Sequence, residues 1–234
     1  MTVGGPRVHR CESAADAGRE VAHRLLHHFE DSIEQGARIR LGVCGGRSIV
    51  PVLQALVVGA DREQWRWRQW DLFLTDERAV PRGDAERNDA LIEREFVVPL
   101  GASPVVLHRM AAEASDLEAA ALDYDRQLAA PLHAVILGLG EDGHVASLFP
   151  GSPWLRESER RVGVVLDSPK PPARRLTLTS RAITETPLRL VLGFGAAKAA
   201  AVRRSLAIHG DVLETPARIA RDGVWFVDAA SAGG

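Results

Sequence analysis

Ala134-Val135-Ile136-Leu137-Gly138-Leu139-Gly140-Glu141-Asp142-Gly143-His144 is the stretch on which the reading of this chain turns. Its first half is apolar throughout and too short for a helix. An apolar run of that length suits a strand buried on both faces, as in a parallel sheet. Its second half puts three glycines and three polar side chains at the strand's C-terminal end. In open α/β sheets that edge is where ligands bind.

Outward from it, strand-like and helix-like segments alternate. Residues 13–35 place Ala22, Leu25, Leu26, Phe29 and Ile33 on one helical face, with Ser13 as a candidate cap. RIRLGV (38–43) reads as a strand, 48–58 as a helix, and WDLFLT (70–75) as a strand running into the charged turn Asp76-Glu77-Arg78. A short helix over 87–96, a strand over 104–108 and a longer helix over 115–129 lead back to the central stretch. Beyond it, 161–167, 175–180, 188–194 and 224–228 read as strands and 196–207 as a helix, and the tail from Ala229 reads as loose. The pattern predicts one α/β domain over 1–234, a mostly parallel sheet with helices on both faces.

The composition narrows the function classes. The 234 residues are 46% hydrophobic and 26% charged with net charge −2, which suits a soluble globular protein and offers no basic field for a nucleic-acid backbone. The first residues lack the apolar run of a signal peptide and no apolar stretch reaches membrane-spanning length, so neither secretion nor a membrane is expected. Two cysteines, Cys11 and Cys44, are too few for a disulfide scaffold, so the expected location is the cytoplasm. Of 29 basic residues only Lys170 and Lys198 are lysines. Lys170 lies in a proline-rich turn. Lys198 falls in a first helical turn, where a cation opposes the helix dipole unless an anion joins it.

Gly138 to Gly143 matches Gly-x-Gly-x-x-Gly, and Asp167 follows at about the roughly 20 residues a dinucleotide fingerprint requires. The fingerprint also needs a helix opening at the third glycine. Pro150, Gly151 and Pro153 forbid one of useful length, so a dinucleotide is not expected. Gly45-Gly46-Arg47-Ser48, between a strand and a helix, is a plausible phosphate cradle, although such turns are more often punctuation. His23 and His27, with no third ligand near, read as surface histidines. Trp65 to Trp70 reads as a connection with tryptophans packed inward, and Cys44 as a small residue closing a strand. No Gly-x-Ser-x-Gly elbow occurs.

Taken together these motifs resemble the 6-phosphogluconolactonase family. Leu137 to Gly151 is similar to its signature, Thr75 to Pro81 with Asn88 to its second block, and Gly45 to Ser48 to its phosphate loop. Arg175 to Thr179 with Gly195-x-x-Lys198 resembles its C-terminal block. Ile49 and Glu141 depart from it, each standing where a proline is common. The resemblance implies a Rossmann-like fold of the sugar-phosphate isomerase type and hydrolysis of 6-phospho-D-glucono-1,5-lactone, without metal or other cofactor. It implies His144 as general base and then acid, with Asp142 orienting it. Gly45, Gly46, Arg47, Ser48, Asp76, Arg78, Gly143 and Lys198 are expected around the substrate, with Arg175 a further candidate. A sugar-phosphate lactone is the expected partner, of a monomer or weak homodimer. Glucosamine-6-phosphate deaminases share the fold, but typically carry Asn-Gly-His-Ile-Ala-Phe-Asn where this chain has Asp142 to Leu148. A non-catalytic sugar-phosphate sensor would have no need of His144.

Overall fold

The computed structural model describes residues 5–58, 66–101 and 105–232. Its strands are β1 (Arg7–Cys11), β2 (Ile39–Val43), β3 (Trp70–Leu74), β4 (Asp76–Arg78), β5 (Val106–His108), β6 (Ala134–Gly138), β7 (Val162–Val165), β8 (Arg175–Leu178), β9 (Leu188–Gly193) and β10 (Val224–Asp228). Seven form one sheet in the order β1–β10–β9–β6–β2–β3–β5, and every pairing in it is parallel. All five residues of β3 and the first four of β6 are buried. Consecutive side chains point to opposite faces, so the sheet is covered on both sides, as its continuous apolar runs require.

Helix α1 (Ala14–Glu34) begins where expected, with Ser13 Oγ accepting the Asp16 N–H at 3.1 Å. It buries Val21, Leu25, Phe29 and Ile33 along one stripe, and Leu26 sits half-buried at its margin. Each such fully buried side chain contributes about 1.5–3 kcal/mol. A Cβ on Gly18 would stand 2.3 Å from the Pro51 carbonyl oxygen, so the missing side chain lets α1 close on α2 (Val50–Val58).

Several expectations need correction. Segments 161–167 and 175–180 are strands, but outside the parallel sheet: β7 and β8 pair antiparallel, with β4 on the other side of β8. The charged turn after β3 is therefore a strand, linked to β3 through Thr75 alone. The helix over 87–96 is α-helical only over α3 (Asn88–Ile92) and widens into a π turn over Glu93–Val97. The longer helix is α4 (Leu117–Gln127), its start fixed by Asp116 Oδ1 accepting from Ala119 N at 2.9 Å. After α5 (Ser180–Thr184) and β9, residues 196–198 form a 3-10 turn before α6 (Ala199–Leu206). The expected loose tail is ordered over its described part, as far as Ala232. Ala229–Ala232 forms α7, pinned by the buried Ser231, whose hydroxyl donates to the Gly193 carbonyl at 2.6 Å. Trp67 and Trp70 pack inward. Trp65 and the first residue of the 104–108 strand lie outside the described residues.

Strand order positions the site. From β2 the chain moves outward through β3 to β5, then returns to β6 beside β2 and moves the other way through β9 to β10. The loops leaving β2 and β6 therefore diverge, and a crevice opens between their C-terminal ends. The Gly45–Ser48 turn and the Gly138–His144 turn face each other across it.

Candidate active site

A cleft of about 420 Å³ occupies this switch point. Its walls come from Gly45, Gly46, Arg47 and Ser48 after β2, Asp76 and Arg78 on β4, Gly138, Leu139, Gly140 and His144 after β6, and Arg175 and Lys198 beyond, with Cys44, Asn88, Ala146, Phe194 and Ala14 between them. Arg47, Arg78, Arg175 and Lys198 face one carboxylate, Asp76. The cleft is built for an anion.

On the β2 side, Gly46 adopts φ +80°, a left-handed turn that glycine takes without strain. It turns the chain leaving β2 so that Gly45, Gly46, Arg47 and Ser48 line the cleft ahead of α2. Ile49, one departure from the family pattern, is fully buried and leaves this geometry alone. Cys44 is buried and its thiol is pushed up to about 12 by burial. That rules it out as a nucleophile near neutral pH.

Strand alternation explains the charged triplet. Asp76 and Arg78 point to the cleft and Glu77 points away into the protein. Asp76 is held firmly: Ser147 Oγ donates to Oδ2 at 2.7 Å and Asn88 Nδ2 donates to its carbonyl at 2.8 Å. The Arg78 guanidinium donates to the Glu86 carbonyl. Asn88 Oδ1 is buried without a hydrogen-bond partner, and it lies where a Cβ on Gly45 would meet it at 1.8 Å. A buried orphan acceptor on a cleft wall suits a ligand hydroxyl. The sequence ties Asn88 only to a family block, because its unmet bond appears only in three dimensions.

On the β6 side, the imidazole of His144 packs over Gly140, where a Cβ would collide with Nδ1 at 2.0 Å. Its Nδ1 meets Asp142 Oδ1 at 2.5 Å and its ring lies against Phe149. Nδ1 engaged in this way leaves Nε2 as the end open to the cleft. Burial alone would raise the Asp142 carboxyl, but the hydrogen bond and charge of His144, with Lys170 adding to them, hold it well below the usual carboxylate range. Asp142 is therefore ionised and placed to orient the ring. Residues 141–152 make turns and one isolated bridge between Val145 and Leu148, so the helix a dinucleotide needs is missing there. Gly143, expected beside the substrate, is not among the residues that line the cleft. Its φ of +92° makes the turn, its N–H donates to the Gly140 carbonyl and its own carbonyl accepts from Ala217.

Lys198 sits at the head of α6 with Nζ 3.8 Å from Glu141, the other departure from the family pattern. Burial, then the cations Lys170 and Arg47, lower its pKa, while Glu141 and Asp142 oppose them. Arg175 lines the cleft and also grips the proline loop behind it, the loop that carries Lys170 and that shows no chemistry in sequence. No cluster of three or more His, Cys, Asp or Glu side chains fit to hold a metal occurs among the described residues. No helix among them is long and apolar enough to cross a membrane.

Fold and cleft define an α/β protein with an anion-binding crevice and an aspartate-backed histidine at the switch point of a parallel sheet. The chain belongs to the family of glucosamine-6-phosphate isomerases and 6-phosphogluconolactonase, whose model matches residues 12–226. It is 36% identical to a 6-phosphogluconolactonase of Streptomyces coelicolor over 90% of this chain and 87% of that one. It is 38% identical to that of Mycobacterium tuberculosis over 88% of each. A 6-phosphogluconolactonase structure from Thermotoga maritima superposes with TM-score 0.78 at 25% identity, over 95% of this chain and 99% of that one. A monomeric glucosamine-6-phosphate deaminase reaches 0.83 at 20% identity, over 97% and 98%. The fold by itself does not separate the two chemistries.

Proposed function

We propose that the cleft hydrolyses 6-phospho-D-glucono-1,5-lactone to 6-phosphogluconate, the hydrolysis step of the oxidative pentose phosphate pathway. The observation that carries this reading is His144, backed by an ionised Asp142 and opening onto a cleft lined by three arginines and Lys198. His144 Nε2 takes a proton from water as the water oxygen bonds to the lactone carbonyl carbon. Collapse of the tetrahedral adduct breaks the bond from that carbon to the ring oxygen, and the imidazolium returns the proton to the departing oxygen as the C5 hydroxyl forms. Asp142 holds the ring and stabilises its cationic form. The phosphate lies on the Gly45–Ser48 loop with Arg47, Arg78 and Lys198 around it. Binding energy collected there holds the carbonyl in place for attack.

Sequence relatives named as lactonases support this reading over deamination, as does Asp142-Gly143-His144 in place of Asn-Gly-His. The chain acts in the cytoplasm as a single domain, monomeric or weakly dimeric, and needs no metal. The deciding experiment is lactone hydrolysis by purified protein, measured above the spontaneous rate after exhaustive chelation. Acceleration is expected, with no ammonia released from glucosamine 6-phosphate. Folded protein without acceleration would favour a sensor, ammonia release would favour the deaminase, and activity restored only by added zinc or magnesium would overturn the metal-free mechanism.

A further inference from the structure

Behind His144 the polar contacts continue past Asp142. Its Oδ1 takes the imidazole, and its Oδ2 faces the Lys170 ammonium at 3.8 Å. Neither Asp142 nor Lys170 lines the cleft, so the three side chains run in file away from it.

Lys170 is held in that file by unusual means. The buried Arg175 guanidinium donates to three successive carbonyls, those of Lys170 (2.9 Å), Pro171 (3.2 Å) and Pro172 (3.0 Å). Ser168 Oγ donates to the Lys170 carbonyl at 2.8 Å and accepts its N–H at 3.2 Å. Burying a cation is expensive, and this one is committed to fixing the backbone that carries Lys170. The chain's only other lysine, Lys198, faces Glu141 at the same distance of 3.8 Å. Both lysines of an otherwise arginine-using protein thus flank one loop. Arginine would fork both carboxylate oxygens and compete with His144 for Oδ1, whereas an ammonium is a point charge that leaves Oδ1 to the imidazole.

We propose that Lys170 is a positioning residue for the His144–Asp142 pair, its ammonium fixing Asp142 and offsetting part of the carboxylate's charge so that the imidazole can accept a proton at neutral pH. The proposal rests on the hydrolase reading above and deepens it. A carboxylate in contact with a histidine favours the imidazolium, which cannot act as a base. The carboxylates around His144 are Asp142 and Glu141 on its own loop and Asp76 on β4. Opposing them are Lys170, Lys198 at the head of α6, Arg47 after β2, Arg78 on β4 and Arg175 on β8. Among these cations Lys170 is the one in contact with Asp142. The others are committed to Glu141, to backbone carbonyls or to Asp76, or sit at the rim.

The test is Lys170→Met, with Lys170→Gln as a second variant, read in two ways. The first is the pH profile of kcat/KM for the lactone. The second, without substrate, is proton NMR titration of the His144 ring, assigned by its loss in His144→Ala. The protonation midpoint of the pair should rise by roughly half to one pH unit. The acid limb should move with it, so that kcat/KM falls about three- to ten-fold at pH 6 and recovers toward wild type at pH 8, with KM little changed. Equal loss at every pH with an unmoved midpoint would make Lys170 structural. A loss confined to KM for the phosphorylated lactone would make it a phosphate ligand. Either result overturns the proposal. A moved midpoint in protein that never hydrolyses lactone would sink the hydrolase reading and leave the electrostatic role of Lys170 standing. Hydrolysis with an unmoved midpoint would do the reverse.

Discussion

Two charged clusters in this protein use the same side-chain types for opposite ends. At the cleft, His144 and Asp142 keep 16% and 31% of their side chains exposed, and one imidazole nitrogen opens onto the cavity. Beneath β4, Glu77 and Arg87 are sealed from solvent and Asp89 nearly so. There Glu77 accepts from the N–H groups of Arg78, Asn88 and Asp89, each at 2.8 Å. Arg87 forks Asp89 with two 2.8 Å bonds and reaches Glu113 at 2.9 Å. In this second cluster each charged group is matched, so nothing is left to act on a substrate. Charge alone does not separate machinery from scaffold. What separates them is whether a polar atom is left open toward a cavity.

The harshest way to break the contrast is Arg87→Met. It strands Glu77 and Asp89 as buried carboxylates, and removing one member of such a network costs about 3–5 kcal/mol. Urea unfolding should show a loss of that size, or the protein should fail to accumulate. His144→Ala should do the opposite: kcat falls at least ~10²-fold, the usual contribution of a positioned general base. Thermal stability and affinity for 6-phosphogluconate should hardly move, since the phosphate subsite lies on other loops. If His144→Ala melts the protein while Arg87→Met leaves it stable and slows it, the two clusters have been assigned the wrong way round.

A smaller effect separates the two ends of the cleft. Lys198→Ala should weaken binding of the phosphorylated lactone by about ten- to hundred-fold, or roughly 1.5–3 kcal/mol for a charge-assisted contact. The unphosphorylated lactone should be affected far less. Equal losses on both would remove Lys198 from the phosphate subsite.

The sequence exposed the parallel sheet because its strands are apolar on both faces, and β6 is the clearest case. It hid β1, an edge strand reading Arg7-Val8-His9-Arg10-Cys11, because only Cys11 is buried and its strand character comes from pairing with β10. It hid β4 because three consecutive charges look like a turn until β8 pairs with them. The cleft loops were legible because several glycine turns with charged neighbours recur at strand ends, although any one of them alone reads as punctuation. Lys170 was not, since nothing local shows that Arg175 clamps its loop against Asp142. The helix over 229–232 was hidden because the anchor of Ser231 is Gly193, 38 residues away in the chain.

The gentlest way to sharpen the contrast is pH, where the two clusters should respond with opposite sign. Burial raises the Glu77 carboxyl from 4.5 to about 7, even though three N–H donors and the nearby Arg87 favour its ionised form. A carboxyl that holds its proton more tightly folded than unfolded contributes most below pH 4.5, and that contribution is lost as pH rises through about 7. Asp142 behaves in reverse. Its carboxyl is held well below the ordinary carboxylate value of 3.8, so its contribution is present above that pH and lost as pH falls further. Glu77→Gln mimics the protonated acid and should therefore cost little at pH 5, and Asp142→Asn should cost least near pH 3. Melting temperatures of wild type and both variants from pH 3 to 8 test this. The gap between wild type and Asp142→Asn should narrow on acidification. The gap between wild type and Glu77→Gln should change between pH 5 and 8, because only the wild type must then ionise a buried group. A Glu77→Gln curve parallel to wild type across that range would mean that Glu77 is already ionised at pH 5. Arg87 would then govern Glu77 as His144 governs Asp142, and the two clusters would differ in exposure but not in charge state.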